Sequence, residues 1–287
     1  MPLIERVTIA GVGLIGGSLG AAMRRAGLAT HVLGFGRTAR NLQVAQSRGL
    51  IDRIVTDVAE AADVDLIVLA APVRSCAALA ARFRAHARAT TILTDVGSVK
   101  ASLVADLEAV WDPSRVVGAH PIAGSEASGA GAARADLFAR RLCILTPGPQ
   151  TDPAALALLR ALWEGVGARV EAMPAATHDA ILARVSHLPH VVAYALVRAL
   201  ASRTIDGRSI LDYAGSGLLD VTRIAASPAE IWRDIALTNR PALAEALREF
   251  GVALDDLARL IERGDAVGLE RALQDAARTR QHLVGKA

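Results

Sequence analysis

Residues 11–18 read GVGLIGGS, a GxGxxG spacing formed by Gly11, Gly13 and Gly16. The loop lies between an apolar, strand-like run at 6–10 and a helix-like run at 14–26. This context gives each glycine a separate task. Gly11 permits a tight turn, Gly13 lets the backbone approach a pyrophosphate, and Gly16 lets the helix pack closely on the strand. The helix start at Leu14 and Ile15 offers free N–H groups and the positive end of a dipole to an anion. The feature predicts a strand–loop–helix unit that binds a dinucleotide at the edge of a parallel sheet.

The rest of the first half agrees. Apolar runs recur at 31–35, 65–70, 91–94, 116–118 and 142–145, with helix-like segments between several of them. Strands alternating with helices imply a parallel sheet covered on both faces. A Pro/Gly/Thr turn cluster follows residue 146, and a helix at about 153–165 with a strand at about 168–172 completes the sheet. From about 174 the pattern is helical, at roughly 175–203, 208–226, 228–250, 252–262 and 265–284, with no convincing strand. The expected organisation is an α/β Rossmann-type domain over 1–173, followed by an all-α domain over 174–287. Pro189 falls inside the first long helix and should kink it or split it.

Composition narrows the function. With 32 basic and 29 acidic residues the net charge is +3, too small a surplus for a nucleic-acid surface, and aromatic residues at 3% offer few stacking platforms. Cys76 and Cys143 form no CxxC pair, which fits a reduced cytoplasmic protein. The uncharged stretch between Arg6 and Arg24 could pass for a signal-peptide core, but it is short for a membrane span and the glycine loop explains it better. No nucleic-acid or membrane partner is expected.

The cofactor type can be read at the end of the second strand. An NAD site places an acidic residue about 20 residues beyond the loop, bonded to the ribose 2′-hydroxyl. Here Gly36 stands where that carboxylate is expected, and Arg37 and Thr38 follow. Glycine removes the repulsion that a 2′-phosphate would meet, and arginine supplies an attractive charge. NADP is therefore favoured over NAD.

Two clusters fall after strand-like runs, DVGSVK at 95–100 and HPIAGSE at 120–126. In an open parallel sheet ligands bind at the carboxyl ends of strands, so Ser98 and His120 should line one crevice. A third cluster is helical and comprises His178, His187 and His190, then Asp220, Arg223 and Trp232. His187 and His190 share a helix face at their spacing. Zinc could use such a pair, but there is no HExxH and no nearby Cys pair, so no metal is expected. Ser98 lacks a GxSxG elbow, which disfavours a hydrolase.

The motifs GVGLIGGS, DVGSVK, HPIAGSE followed by Ser128-Gly129, SHLPH at 186–190, and Asp220 with TRIA at 222–225 and Trp232 resemble the prephenate/arogenate dehydrogenase family, in the same order along the chain. The resemblance implies oxidative decarboxylation of prephenate to 4-hydroxyphenylpyruvate, or of arogenate to tyrosine, with NAD(P). It also implies a Rossmann domain followed by a helical domain that forms a homodimer. On that basis His120 takes the proton of the substrate's 4-hydroxyl and Ser98 orients that hydroxyl or the imidazole. Arg223 holds the ring carboxylate, and His190 with His187 positions the side-chain end. Glu126 joins the polar network or a gate. Trp232 approaches its own or the neighbouring subunit's site. The approach to Asp220, Gly217-Leu218-Leu219, departs from the family's Gly-Gly-Phe type.

Two rivals remain. A β-hydroxyacid dehydrogenase also joins a Rossmann domain to helices, but needs a lysine on the helical side, and no lysine lies between Lys100 and Lys286. A dinucleotide-binding protein without turnover would leave Ser98, His120 and Arg223 incidental.

Overall fold

The computed structural model describes residues 2–124 and 127–284. The chain begins β1 (Ile4–Ala10), α1 (Leu14–Arg25), β2 (Ala29–Phe35), α2 (Ala39–Ser47), β3 (Arg53–Ile54), α3 (Val58–Ala62), β4 (Leu66–Leu69), α4 (Val73–Arg84), β5 (Ile92–Asp95) and α5 (Ala101–Glu108). It continues β6 (Val116–Pro121), β7 (Leu142–Pro147), α6 (Pro153–Gly165) and β8 (Arg169–Ala172). These strands form one eight-stranded sheet in the order β3-β2-β1-β4-β5-β6-β7-β8. Strand order reverses at β1, which pairs in parallel with β2 on one side and β4 on the other. That reversal opens a crevice beyond the carboxyl ends of the strands.

The central strands are buried on both faces, which is why they read as continuous apolar runs. In β4 all of Leu66, Ile67, Val68 and Leu69 are buried. One apolar layer gathers Leu19 and Met23 of α1 with Leu159 and Trp163 of α6. The other gathers Cys76, Ala80 and Phe83 of α4 with Leu103 and Leu107 of α5.

The sheet departs from the expected pattern in two places. β7 runs antiparallel to β6. Among the described residues of the 122–141 connection there is only a single 3₁₀ turn at Ala130–Ala132, so no helical crossover brings the chain back in parallel. The short β3, with only Arg53 and Ile54, is an edge strand too brief to leave a pattern.

Beyond β8 come α7 (Ala175–Leu182), a π-helical turn at Ala183–His187, and α8 (Leu188–Leu200). The π turn resolves the Pro189 question. Pro189 has no N–H to give to the carbonyl one turn back and its ring displaces that carbonyl, so the preceding turn widens without breaking the run. By length and composition Ala175–Leu200 is apolar enough to cross a membrane. Its His178, Asp179 and His187 are nevertheless buried, and the first two bond to groups on and after the sheet strands.

The expected helix at 208–226 is replaced by smaller elements. A hairpin of β9 (Thr204–Ile205) and β10 (Arg208–Ser209) turns through Asp206 and Gly207, both at positive φ. An Asp-Gly pair is suited to that turn. A 3₁₀ turn, α9 (Ser216–Thr222) and a second 3₁₀ turn over Arg223–Ala226 follow. Then come α10 (Ala229–Thr238), α11 (Arg240–Glu262) and α12 (Ala266–Val284). The break expected near Gly251 lies instead at Asn239, whose side chain donates to the Asp179 carbonyl.

The chain divides into two compact units, one extending to Arg240 and one from Pro241 onward. The helices between 174 and 240 thus belong to the same unit as the sheet. A physical tie is visible where both Asp179 carboxylate oxygens accept backbone N–H groups at the start of α5, from Lys100 and Ala101, each at 2.8 Å.

Candidate active site

The glycine loop has the geometry its spacing implies. Gly11 sits at φ +104°, and a Cβ there would come within 2.4 Å of the Ala70 carbonyl oxygen. A Cβ on Gly16 would stand 2.2 Å from the Gly11 carbonyl oxygen, so glycine is what allows α1 to lie against the loop. Gly13 caps α1, and no side chain bonds to the first-turn amides and no acidic residue sits there. Those amides are left to an anionic ligand.

A cavity of about 520 Å³ opens beside the loop, at the ends of β1, β2 and β4. Gly11, Gly13, Gly36, Arg37 and Thr38 line it, together with Arg74 and Arg82. Among the described residues no carboxylate lines it. A Cβ on Gly36 would meet nothing closer than Leu42 at 3.6 Å, so the missing acidic side chain is not excluded by space. Leu14, Ile15 and Gly16 are not in the lining. The side chains of Leu14 and Ile15 pack on the core, which leaves their backbone as the part available to a phosphate. The bare amides, the open side of Gly13 and the arginines fit a dinucleotide.

A second constellation lies at the carboxyl ends of β5 and β6. Asp95 closes β5 and is fully buried with Lys100, to which it is ion-paired. The Lys100 ammonium also donates to the Ala119 carbonyl at 2.9 Å, one residue before His120. This pair therefore ties the loop carrying Ser98 to the strand carrying His120. Ser98 is half-buried in that loop.

His120 Nδ1 lies 2.8 Å from His178 Nε2, and His178 Nδ1 lies 2.8 Å from Asp179 Oδ1. Asn239 lies 3.1 Å from His187 Nδ1 through its side-chain amide. His187 and His190 both meet Trp232, the former edge-on at 6.2 Å and the latter stacked at 3.5 Å. His190 Nδ1 donates to the Ser186 carbonyl at 2.9 Å. The charge of Arg223 is close enough to His190 to oppose its protonation.

Burial disfavours the charged form of His120, His187 and His190. It holds the His120 pKa well below the usual 6.5, and the nearby Lys100 ammonium adds to it. Burial likewise presses His187 down to about 4, although Asp179 pulls the other way. His190 is lowered by burial first, with Arg223 adding to it. A neutral imidazole at the end of a sheet strand is a proton acceptor in the working pH range.

The structure thus brings His120, His187, His190, Trp232 and Arg223 into one neighbourhood, with Ser98 in the adjoining loop. Asp220 is exposed on α9, outside this hydrogen-bonded cluster. Glu126 lies outside the described residues. Asp179 and Asn239 carry the cluster's framework and had no signal in the sequence. Neighbours in a helix do not face each other, so adjacency to His178 gave no hint that Asp179 would bond to its ring.

A dinucleotide cradle and a neutral histidine at strand ends of one doubly covered sheet define an NAD(P)-dependent dehydrogenase. The comparisons specify which. Residues 19–172 match the nucleotide-binding domain of prephenate dehydrogenase and residues 174–275 its dimerization domain. The chain belongs to the prephenate dehydrogenase family. It is 33% identical to a cyclohexadienyl dehydrogenase of Zymomonas mobilis, over 99% of this chain and 97% of that one. Prephenate dehydrogenase from Aquifex aeolicus, solved with hydroxyphenyl propionate and NAD+, superimposes with a TM-score of 0.94 at 36% identity, covering 98% of each chain. Synechocystis arogenate dehydrogenase superimposes with a TM-score of 0.85 at 31% identity, covering 97% of this chain and all of that one.

Proposed function

We propose that this dehydrogenase oxidatively decarboxylates prephenate, arogenate or both, giving 4-hydroxyphenylpyruvate or tyrosine. The observation that carries the reading is His120, held neutral at the end of β6, at the same end of the sheet as the glycine cradle. When bound, the nicotinamide supplies the hydride acceptor. His120 takes the proton of the ring hydroxyl as the carbon bearing it is oxidised, the ring carboxylate leaves as CO₂, and the proton returns from His120 to the phenol oxygen as the ring becomes aromatic. Aromatisation of the ring drives the reaction. Ser98 orients the hydroxyl or the imidazole. Arg223 holds the departing carboxylate with its planar fork, and His190, stacked on Trp232, positions the far end of the substrate with His187. Glu126 and Asp220 are assigned to the substrate's polar surroundings by resemblance alone.

The cofactor we assign is NADP in preference to NAD. Support comes from the described lining, which holds Arg37, Arg82 and Arg74, the last ion-paired to Asp234, and from Gly36, which leaves room for a 2′-phosphate. We further propose a cytoplasmic homodimer, with residues 174–287 as the helical, dimerising part and 1–173 as the nucleotide-binding part. Exposed Val185, Leu219, Val221 and Ile231 in the first unit, and Val252, Leu254, Ile261 and Val267 in the second, support burial against a second copy. Neither nucleic acid nor membrane is part of this reading.

The test is His120→Asn. Loss of the base should lower kcat by about 10²- to 10⁴-fold and leave KM little changed. A wild-type kcat in that variant would remove His120 from the chemistry.

A further inference from the structure

We propose that Asp179 and His178 form a relay that fixes the tautomer of His120, holding its proton on Nδ1 and leaving Nε2 as the lone pair that meets the substrate. The proposal rests on the reading of His120 as the base and names the groups that make it one.

A carboxylate only accepts, so the 2.8 Å contact between Asp179 Oδ1 and His178 Nδ1 places a proton on that nitrogen. In the proposed relay His178 carries that one proton, so its Nε2 is an acceptor. The 2.8 Å contact from His178 Nε2 to His120 Nδ1 in turn requires His120 to donate from Nδ1. The remaining His120 nitrogen, Nε2, is left unprotonated. An imidazole free in water favours the opposite tautomer, with its proton on Nε2, so the relay reverses a solution preference.

Asp179 is itself immobilised. Its two oxygens accept from Lys100 N–H and Ala101 N–H at the start of α5, and its carbonyl accepts from Asn239 at 2.9 Å. His178 has no exposed surface. Among the described residues, the titratable groups close enough to act on His120 are His178 on α7, Lys100 at the start of α5, and His187 from the π turn. Of these only His178 is hydrogen-bonded to the ring. Aspartate–histidine pairs elsewhere show the same logic, in which an acceptor behind one ring nitrogen decides which nitrogen does the chemistry. Here the acceptor behind the base is a second imidazole. Asp179 and His178 are thus positioning residues and His120 remains the catalytic one.

The test compares His178→Phe, which fills the site but cannot accept, with His178→Gln, whose side-chain oxygen can. The readouts are steady-state kinetics, dinucleotide binding, and ¹⁵N NMR of the His120 ring, assigned by its disappearance in His120→Asn. The wild-type ring should show a protonated Nδ1. His178→Phe should shift the proton to Nε2 and lower kcat by about 10²- to 10⁴-fold, with dinucleotide affinity and KM little changed. His178→Gln should recover the Nδ1–H signal and most of the rate. A wild-type ring already protonated on Nε2, a His178→Phe enzyme with undiminished kcat or an unmoved NMR signal, or a Gln variant no better than Phe would overturn the relay. The NMR arm needs no turnover. A wild-type enzyme inactive on prephenate and arogenate would therefore count against the functional reading and leave the tautomer result standing by itself.

Discussion

At the scale of single residues, the proposed site holds three histidines whose charged form the fold disfavours, His120, His187 and His190. The pKa values of His120, His187 and His190 are lowered from 6.5, His187 to about 4, by burial above all. The unfolded chain takes up these protons near 6.5 while the folded chain does not. Below that pH the unfolded state binds more protons, so stability falls as pH falls. The loss from His187 starts near pH 6.5 and is complete near 4, and amounts to about 3 kcal/mol. Tm should therefore drop as the pH is lowered from 7 to 5. A Tm that held steady or rose over that range would mean that the imidazoles are not buried neutral.

At the scale of elements, the end of β5 and the end of β6 are locked by one buried pair. Lys100 reaches from the start of α5 to Asp95 and to the Ala119 carbonyl. Lys100→Ala would leave Asp95 charged and unpaired in the core. The expected cost is about 3–5 kcal/mol, read from the urea midpoint, and a change under about 1 kcal/mol would show that the pair is not what holds the two strand ends. Lys100 was visible in the DVGSVK motif, but sequence gave no sign that it would be fully buried, because lysine is seldom found there. The glycine loop was legible in full, since each glycine answers a local steric demand. The strands carrying Ser98 and His120 were legible as apolar runs. What sequence missed depends on contacts distant along the chain. The antiparallel β7 follows from a connection without a crossover helix, and Asp179 gains its role from α5 and from Asn239, whose position 60 residues away also decides where α10 ends. The β9–β10 hairpin did carry a local signal in Asp206-Gly207, outweighed by the helical pattern around it.

At the scale of the whole molecule, two ligand demands are met at one end of one sheet. The cradle at β1, β2 and β4 presents bare amides and three arginines, and the end of β6 presents His120, the proposed base. The helices from Ala175 to Asn239 complete the second site, and their polar residues account for an otherwise membrane-like run. The dinucleotide half was the more legible in sequence because its determinants are contiguous. The proposed substrate half is assembled from β5, β6, α7, the π turn, α8, the 3₁₀ turn at Arg223–Ala226 and α10, and only the family motifs linked these in advance. The measurement that tests the account most directly is an initial-rate assay at 340 nm with prephenate or arogenate, each with NAD or NADP. Reduction of the dinucleotide is expected with at least one of the two substrates, and faster at low cofactor concentration with NADP. Absence of turnover in all four combinations, from folded protein that binds NADPH, would contradict the assignment of a catalytic site. Turnover with NAD alone would contradict the reading of Gly36 and Arg37.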